Sequence, residues 1–122
     1  MTLELEGSAN AGAQARRALA GLRDDLDPPL METLQLLATE LVTNSVKHAR
    51  ANNVVLQVLV RRHLVWAEVA DPGPGFGLEA TRQAGSDHTG WGLYLVEQLA
   101  DRWGVTHERG ATRVWFELSR AA

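Results

Sequence analysis

Glu40-Leu41-Val42-Thr43-Asn44-Ser45-Val46-Lys47-His48 lies late in an apolar helical stretch that opens after Asp27-Pro28-Pro29 and runs to about Ala49. Asp27 is suited to cap that helix and Pro28 to its first turn. With Glu40 at the origin and about 100° per residue, Asn44 falls near 40° and Lys47 near −20°. Leu30, Leu34, Leu37 and Leu41 cluster at roughly 60° to 120° on the same wheel. Glu40, Asn44 and Lys47 thus form a polar stripe along the edge of the buried stripe, where a cleft wall would stand. An amide oxygen is a hard ligand suited to Mg²⁺, which keeps most of its waters. A carboxylate one turn away can take a proton from an attacking hydroxyl, and a lysine on the same stripe can meet a phosphate. Taken alone, the stripe reads equally well as a solvated helix flank, with His48 a packed structural histidine.

Working outward, Leu3 to Glu6 alternates apolar and acidic residues and reads as a short edge strand. Ala9 to Leu26 is rich in Ala, Leu and Arg and predicts a first helix. After the turn signal Asn52-Asn53, Val54–Val60 and Leu64–Val69 are β-branched and apolar, with Arg61-Arg62-His63 between them, which predicts a hairpin. Gly77 to Thr89 is a polar loop without periodicity. A third helix fits Trp91 to Trp103, with Leu93, Val96, Leu99, Ala100 and Trp103 on one side and Gly104 as its stop. Val105–His107 and Thr112–Leu118 make a final hairpin around Arg109-Gly110-Ala111. The order β-α-α-β-β-α-β-β predicts a two-layer α/β sandwich: a mixed, mostly antiparallel sheet with three helices on one face.

Two loops carry further chemistry. Asp71-Pro72-Gly73-Pro74-Gly75-Phe76 follows an apolar strand, and its glycines let backbone approach a flat ligand closely. Asp71, ending the strand, can accept from an exocyclic amine such as that of adenine. Gly90-Trp91-Gly92-Leu93 opens a helix, where free N–H groups and the helix dipole favour an anion. Alone, the first is an ordinary Pro/Gly turn and the second an ordinary helix start. In this order, the three elements arrange amide, base acceptor and phosphate nest around one pocket.

These residues resemble the superfamily that joins gyrase, the Hsp90 chaperones, histidine kinases and the MutL repair proteins, whose ATP-binding domain has the Bergerat fold. Glu40 to Ala49 matches its N box, Asp71 to Phe76 its first glycine box, and Gly90-Trp91-Gly92-Leu93 its second. Gly110-Ala111-Thr112 before an apolar strand resembles its last motif. The match runs in order over about residues 30 to 118. The resemblance implies ATP and Mg²⁺ as ligands, with Asn44 holding the metal. It implies that Asp71 binds the adenine amine with Thr112 supporting it through water, and that Gly73, Gly75 and Phe76 lie against the base. Gly90, Trp91, Gly92 and Leu93 would contact the triphosphate and Lys47 a phosphate, with Glu40 as general base. A lid would cover about residues 74–90, with Arg82 a loose match to a γ-phosphate contact.

Within that superfamily the chain is most similar to the bacterial anti-sigma factors that are also serine-protein kinases. Only about 28 residues precede the second helix, so the phosphoacceptor domain of a histidine kinase is not expected, nor the second domain of gyrase and MutL types. The resemblance implies serine/threonine kinase activity toward an anti-sigma antagonist, a sigma factor as second partner, partner switching, and a homodimer. Lys47 and the short lid depart from the better-known anti-sigma kinases. The rival readings are a nucleotide-gated binding module without catalysis and a detached histidine-kinase core.

Size and composition agree. The chain has 122 residues, a length for one domain spanning 1–122, and 45% hydrophobic residues support a core. Net charge −3 gives no global basic field for nucleic acid or an anionic membrane. No stretch approaches the roughly 20 apolar residues of a membrane span, and Met1 to Ser8 lacks the apolar run of a signal peptide. The absence of cysteine excludes disulfides and thiolate chemistry. A cytoplasmic location is the expectation.

Overall fold

The computed structural model describes residues 1–48, 52–71, 91–108 and 110–120. Its strands are β1 (Thr2–Glu6), β2 (Asn53–Val60), β3 (Leu64–Asp71), β4 (Arg102–Glu108) and β5 (Ala111–Ser119). Its helices are α1 (Ala11–Leu19), α2 (Pro28–His48) and α3 (Trp91–Leu99), with a 3₁₀ turn at Ala20–Leu22. The sheet order is β1-β2-β3-β5-β4. Every adjacent pair is antiparallel, so the sheet is antiparallel throughout and not mixed. The reason is topological: α1 and α2 return the chain so that β2 runs against β1, and β5 lies between β3 and β4, the two strands that run the same way.

One face of the sheet makes the core. In β2 the buried residues are Val54, Leu56 and Val58, and in β5 Val114, Phe116 and Leu118 continue the same face. Leu34, Leu37 and Leu41 of α2 are fully buried in the same cluster as Leu19 of α1 and Leu93 and Val96 of α3. The expected leucine stripe is therefore the core stripe, with Leu30 packed at its margin. α2 is the central helix, packed on α1, on α3 and on the sheet. Asp27 stands at its start: its carbonyl accepts the Met31 N–H at 2.9 Å.

Three element boundaries differ from expectation. α1 ends at Leu19 instead of Leu26, tightening into the 3₁₀ turn that contains Gly21, a poor helix former. Leu26 is still buried, reached by the turn that follows. α3 stops at Leu99, which is 45% exposed, and not at Trp103. Trp103 and Gly104 belong to β4, paired with Phe116 and Trp115. Gly104 is thus no helix stop but a mid-strand residue under an indole. A Cβ at that position would stand 2.7 Å from Trp115 Nε1. Backbone pairing with β5 overrides the helical period here. The hairpin between β2 and β3 forms as read, with Arg61 N–H donating to Leu64 O at 2.8 Å. The β4–β5 turn uses Gly110 at φ +77°, a left-handed conformation natural to glycine.

Candidate functional site

The alternation that builds the core also places polar groups in it. In β3 the helix-facing series is Val65, Ala67, Val69 and then Asp71, which is buried at 2% exposure. In β5 the series begins at Thr112, also buried, and continues through Val114. Asp71 and Thr112 are paired across the two strands, so the last rung of an otherwise apolar face is a carboxylate beside a hydroxyl. The next strand extends the rung: His107 of β4 pairs with Thr112, and its Nδ1 lies 3.1 Å from Thr112 Oγ1.

Helix α2 contributes the second polar element. Burial along its stripe follows the wheel: Asn44 is buried, Glu40 half-buried and Lys47 exposed near the end of the helix. Asn44 Nδ2 has no hydrogen-bond partner among the described residues. Such an orphan costs about 1–3 kcal/mol when buried, so the amide is free to take a partner from beyond the described residues. Thr39 Oγ1 is likewise unpartnered, but Thr39 lies against Gly12 of α1 and away from the stripe. The amide's oxygen and NH₂ suit a cation and a phosphate oxygen respectively, so the residue present fits a metal–phosphate group.

The third element is the start of α3. Trp91 and Gly92 form its first turn, and Leu93 follows with its side chain in the core, 2% exposed. Any contact of Leu93 with a ligand is therefore made by its backbone. Gly73, Gly75, Phe76, Arg82 and Gly90, and with them the expected lid over residues 74–90, lie outside the described residues. A cavity of about 320 Å³ touches Asp71 but is lined by Asn53, Val55, Ala70, Ala111 and Arg113. These residues alternate with the buried ones, so the cavity belongs largely to the open face of the sheet. On that face Arg113 pairs with Glu68 at 3.0 Å, apart from the polar rung.

His107 is the residue that the motifs do not single out. Its signal lies in the hairpin: the β4–β5 register pairs position 107 with 112.

Residues 5–118 match the histidine kinase-like ATPase domain family. The chain belongs to this family. Among curated proteins, the serine-protein kinase RsbW of Listeria monocytogenes is 28% identical over 131 residues, covering 93% of this chain and 83% of the relative. The RsbW of Listeria innocua matches at the same identity and coverage. Among solved structures, the RsbU and RsbW domains of a Mycobacterium tuberculosis protein superpose on all of this ATPase domain with TM-score 0.69 at 23% identity. The present chain spans about a third of that longer one, 34% of its length. At that identity the superposition speaks for the fold, a GHKL-type α/β sandwich with an open antiparallel sheet. In this ATPase domain no helix among the described residues is long and apolar enough to cross a membrane.

Proposed function

We propose that this chain binds Mg-ATP and acts as an anti-sigma-type serine/threonine protein kinase. One observation carries the nucleotide reading. The buried polar residues among those described are Asn44, Ser45, Asp71 and Thr112, and all four fall within or beside the nucleotide motifs. Burying a polar side chain is costly unless it is engaged, and this clustering of fully buried polar residues at the motifs supports a ligand site.

In this reading Asp71 accepts from the adenine amine with Thr112 beside it. Asn44 holds Mg²⁺, which when bound neutralises phosphate charge. Lys47, near the end of the stripe, meets phosphate electrostatically. The backbone N–H groups at the start of α3, through Trp91, Gly92 and Leu93, receive the triphosphate. Residues Gly73, Gly75, Phe76, Arg82 and Gly90 keep the roles that their motifs imply.

Catalysis rests on Glu40. A serine or threonine hydroxyl of the protein substrate attacks the γ-phosphorus as its bond to the β,γ-bridging oxygen breaks. The hydroxyl proton passes to the Glu40 carboxylate, and ADP leaves. Little covalent chemistry is asked of the protein, since positioning and charge neutralisation dominate such transfers. The RsbW relatives, named as serine-protein kinases, support this assignment over a non-catalytic module. The partners in this reading are a sigma factor and an antagonist protein, held alternately according to the antagonist's phosphorylation. Affinity capture with the purified chain, with and without Mg-ATP, followed by mass spectrometry tests it. A captured small protein that gains phosphoserine or phosphothreonine only with Mg-ATP is the expected result. Nucleotide binding with no phosphorylated partner would leave a binding module and remove the kinase.

A further inference from the structure

We propose that His107 is a positioning residue for base recognition, setting the direction of the Thr112 hydroxyl and through it the preference of Asp71 for an amine donor. The inference rests on the nucleotide reading above and adds a residue to it that no motif contains.

The argument begins with the register. His107, Thr112 and Asp71 occupy one row across β4, β5 and β3. Each stands in the helix-facing series of its strand: Trp103, Val105 and His107 in β4; Thr112, Val114 and Phe116 in β5; Ala67, Val69 and Asp71 in β3. Side chains of directly paired residues share a face and stand about 4.5–5.5 Å apart at Cβ. Thr112 is therefore flanked by an imidazole on one side and a carboxylate on the other.

Thr112 is 1% exposed, and its hydroxyl has one proton to give and lone pairs to receive. The contact at 3.1 Å between His107 Nδ1 and Thr112 Oγ1 can run in either sense. If Nδ1 carries a proton, it donates to Oγ1 and the hydroxyl proton is directed elsewhere in the row, toward the side where Asp71 stands. If Nδ1 is bare, it takes the hydroxyl proton and leaves an oxygen lone pair toward the carboxylate. An ionised carboxylate only accepts, so the first sense is the one compatible with an ionised Asp71. The polarity then runs from imidazole to hydroxyl to carboxylate. It leaves Asp71 accepting at its ligand side, which suits the amine of adenine and disfavours the carbonyl that inosine carries at the same ring position. His107 is itself exposed, at the rim of the row on an edge strand. Its side chain can thus be changed with little effect on the core.

The experiment is equilibrium titration of Mg-ATP and Mg-ITP into wild type, His107→Leu and His107→Asn, with thermal unfolding without nucleotide confirming that each is folded. Leucine removes the polar atom, while asparagine returns one at the reach of Nδ1. We expect the wild type to prefer ATP, and His107→Leu to reduce the ATP-over-ITP ratio about three- to tenfold, the scale of one hydrogen bond. His107→Asn should restore most of the ratio. An unchanged ratio in His107→Leu overturns the inference. So does an equal loss for both nucleotides that His107→Asn does not rescue, since that is a merely structural role. His107→Ala carries the same comparison if the leucine variant does not fold. A wild type that binds neither nucleotide, or both equally, overturns the nucleotide reading itself, and the two failures are thereby distinguished.

Discussion

Asp71 and Thr112 are cross-strand partners at the end of β3 and β5, and both are buried on the face that otherwise holds Val69, Val114 and Phe116. A valine at position 71 would continue the alternation and add apolar burial. A carboxylate there is costly unless it is engaged. In the proposed site that carboxylate serves as the acceptor for the adenine amine.

Asp71→Asn tests that role with almost no change in shape. The new NH₂ would face the adenine amine donor to donor. For the wild type, Mg-ATP at about 100 times its dissociation constant adds about 2.7 kcal/mol, a rise in melting temperature of roughly 10 °C for a domain of this size. The variant should lose most of that rise while unfolding near the wild-type temperature without nucleotide. Thermal denaturation with and without Mg-ATP reads both quantities, and a full rise in the variant would remove Asp71 from the base site.

Asn44→Leu should separate stability from function in the opposite direction. Its Nδ2 is buried and unpartnered among the described residues, and the side chain borders Leu37 and Leu41 on the helical wheel. A leucine of similar volume removes the orphan donor, so the nucleotide-free protein should gain about 1–2 kcal/mol. The same change removes the proposed metal ligand, so the Mg-ATP-dependent rise should disappear. Denaturant unfolding measures the first effect and a thermal shift titration the second. A variant that is less stable without nucleotide would show that the amide is satisfied within the fold.

What can be read from sequence follows from which elements carry their own period. The α2 stripe, the β2–β3 hairpin and the polar end of β3 are legible because each rests on spacing within a few residues: Leu34, Leu37 and Leu41 at helical intervals, and Val65, Ala67, Val69 and Asp71 at alternate positions. The end of α3 is not legible in this way. Trp103 fits the helical series from Val96 and Leu99, and equally the alternating series with Val105 and His107. Only pairing with β5 decides between them, and that pairing is a tertiary event. Gly104 is ambiguous for the same reason, because a helix stop and a glycine beneath a cross-strand indole look identical in one dimension. The nucleotide motifs are residue types at intervals, whereas His107 enters only once the register of β4 on β5 is known.

Gly104→Ala measures that register directly. The added methyl would meet Trp115 at 2.7 Å from Nε1, 2.9 Å from Cε2 and 3.0 Å from Cζ2. The backbone benefit of alanine over glycine in a strand is about 0.5–1 kcal/mol. Displacing a rigid, partly buried indole should outweigh it, with a net loss of about 1–3 kcal/mol. Trp115→Thr in the same chain should relieve the clash, so the two substitutions should couple by about 0.5–3 kcal/mol in a double-mutant cycle. Additive effects would mean that Trp115 does not lie over Gly104.

Glu40→Ala asks whether the site reacts or only binds. Glu40 lies one turn before Asn44 on α2 and is half-buried, so its carboxylate borders the amide's side of the helix without being sealed in the core. A general base must reach the proton it takes, and partial exposure leaves access for the hydroxyl of a protein substrate. Removing such a base typically costs about 10²- to 10⁴-fold in rate. Nucleotide affinity should change little, because Glu40 holds neither base nor metal in the proposed site. Asn44→Ala, by contrast, should weaken Mg²⁺-dependent binding as well as transfer. The measurement is single-turnover transfer from γ-labelled ATP to the protein substrate, alongside nucleotide titration of each variant. Transfer by Glu40→Ala at the wild-type rate would move the base elsewhere. Loss of both binding and transfer would make Glu40 part of the binding frame, and the distinction between the two α2 residues would collapse.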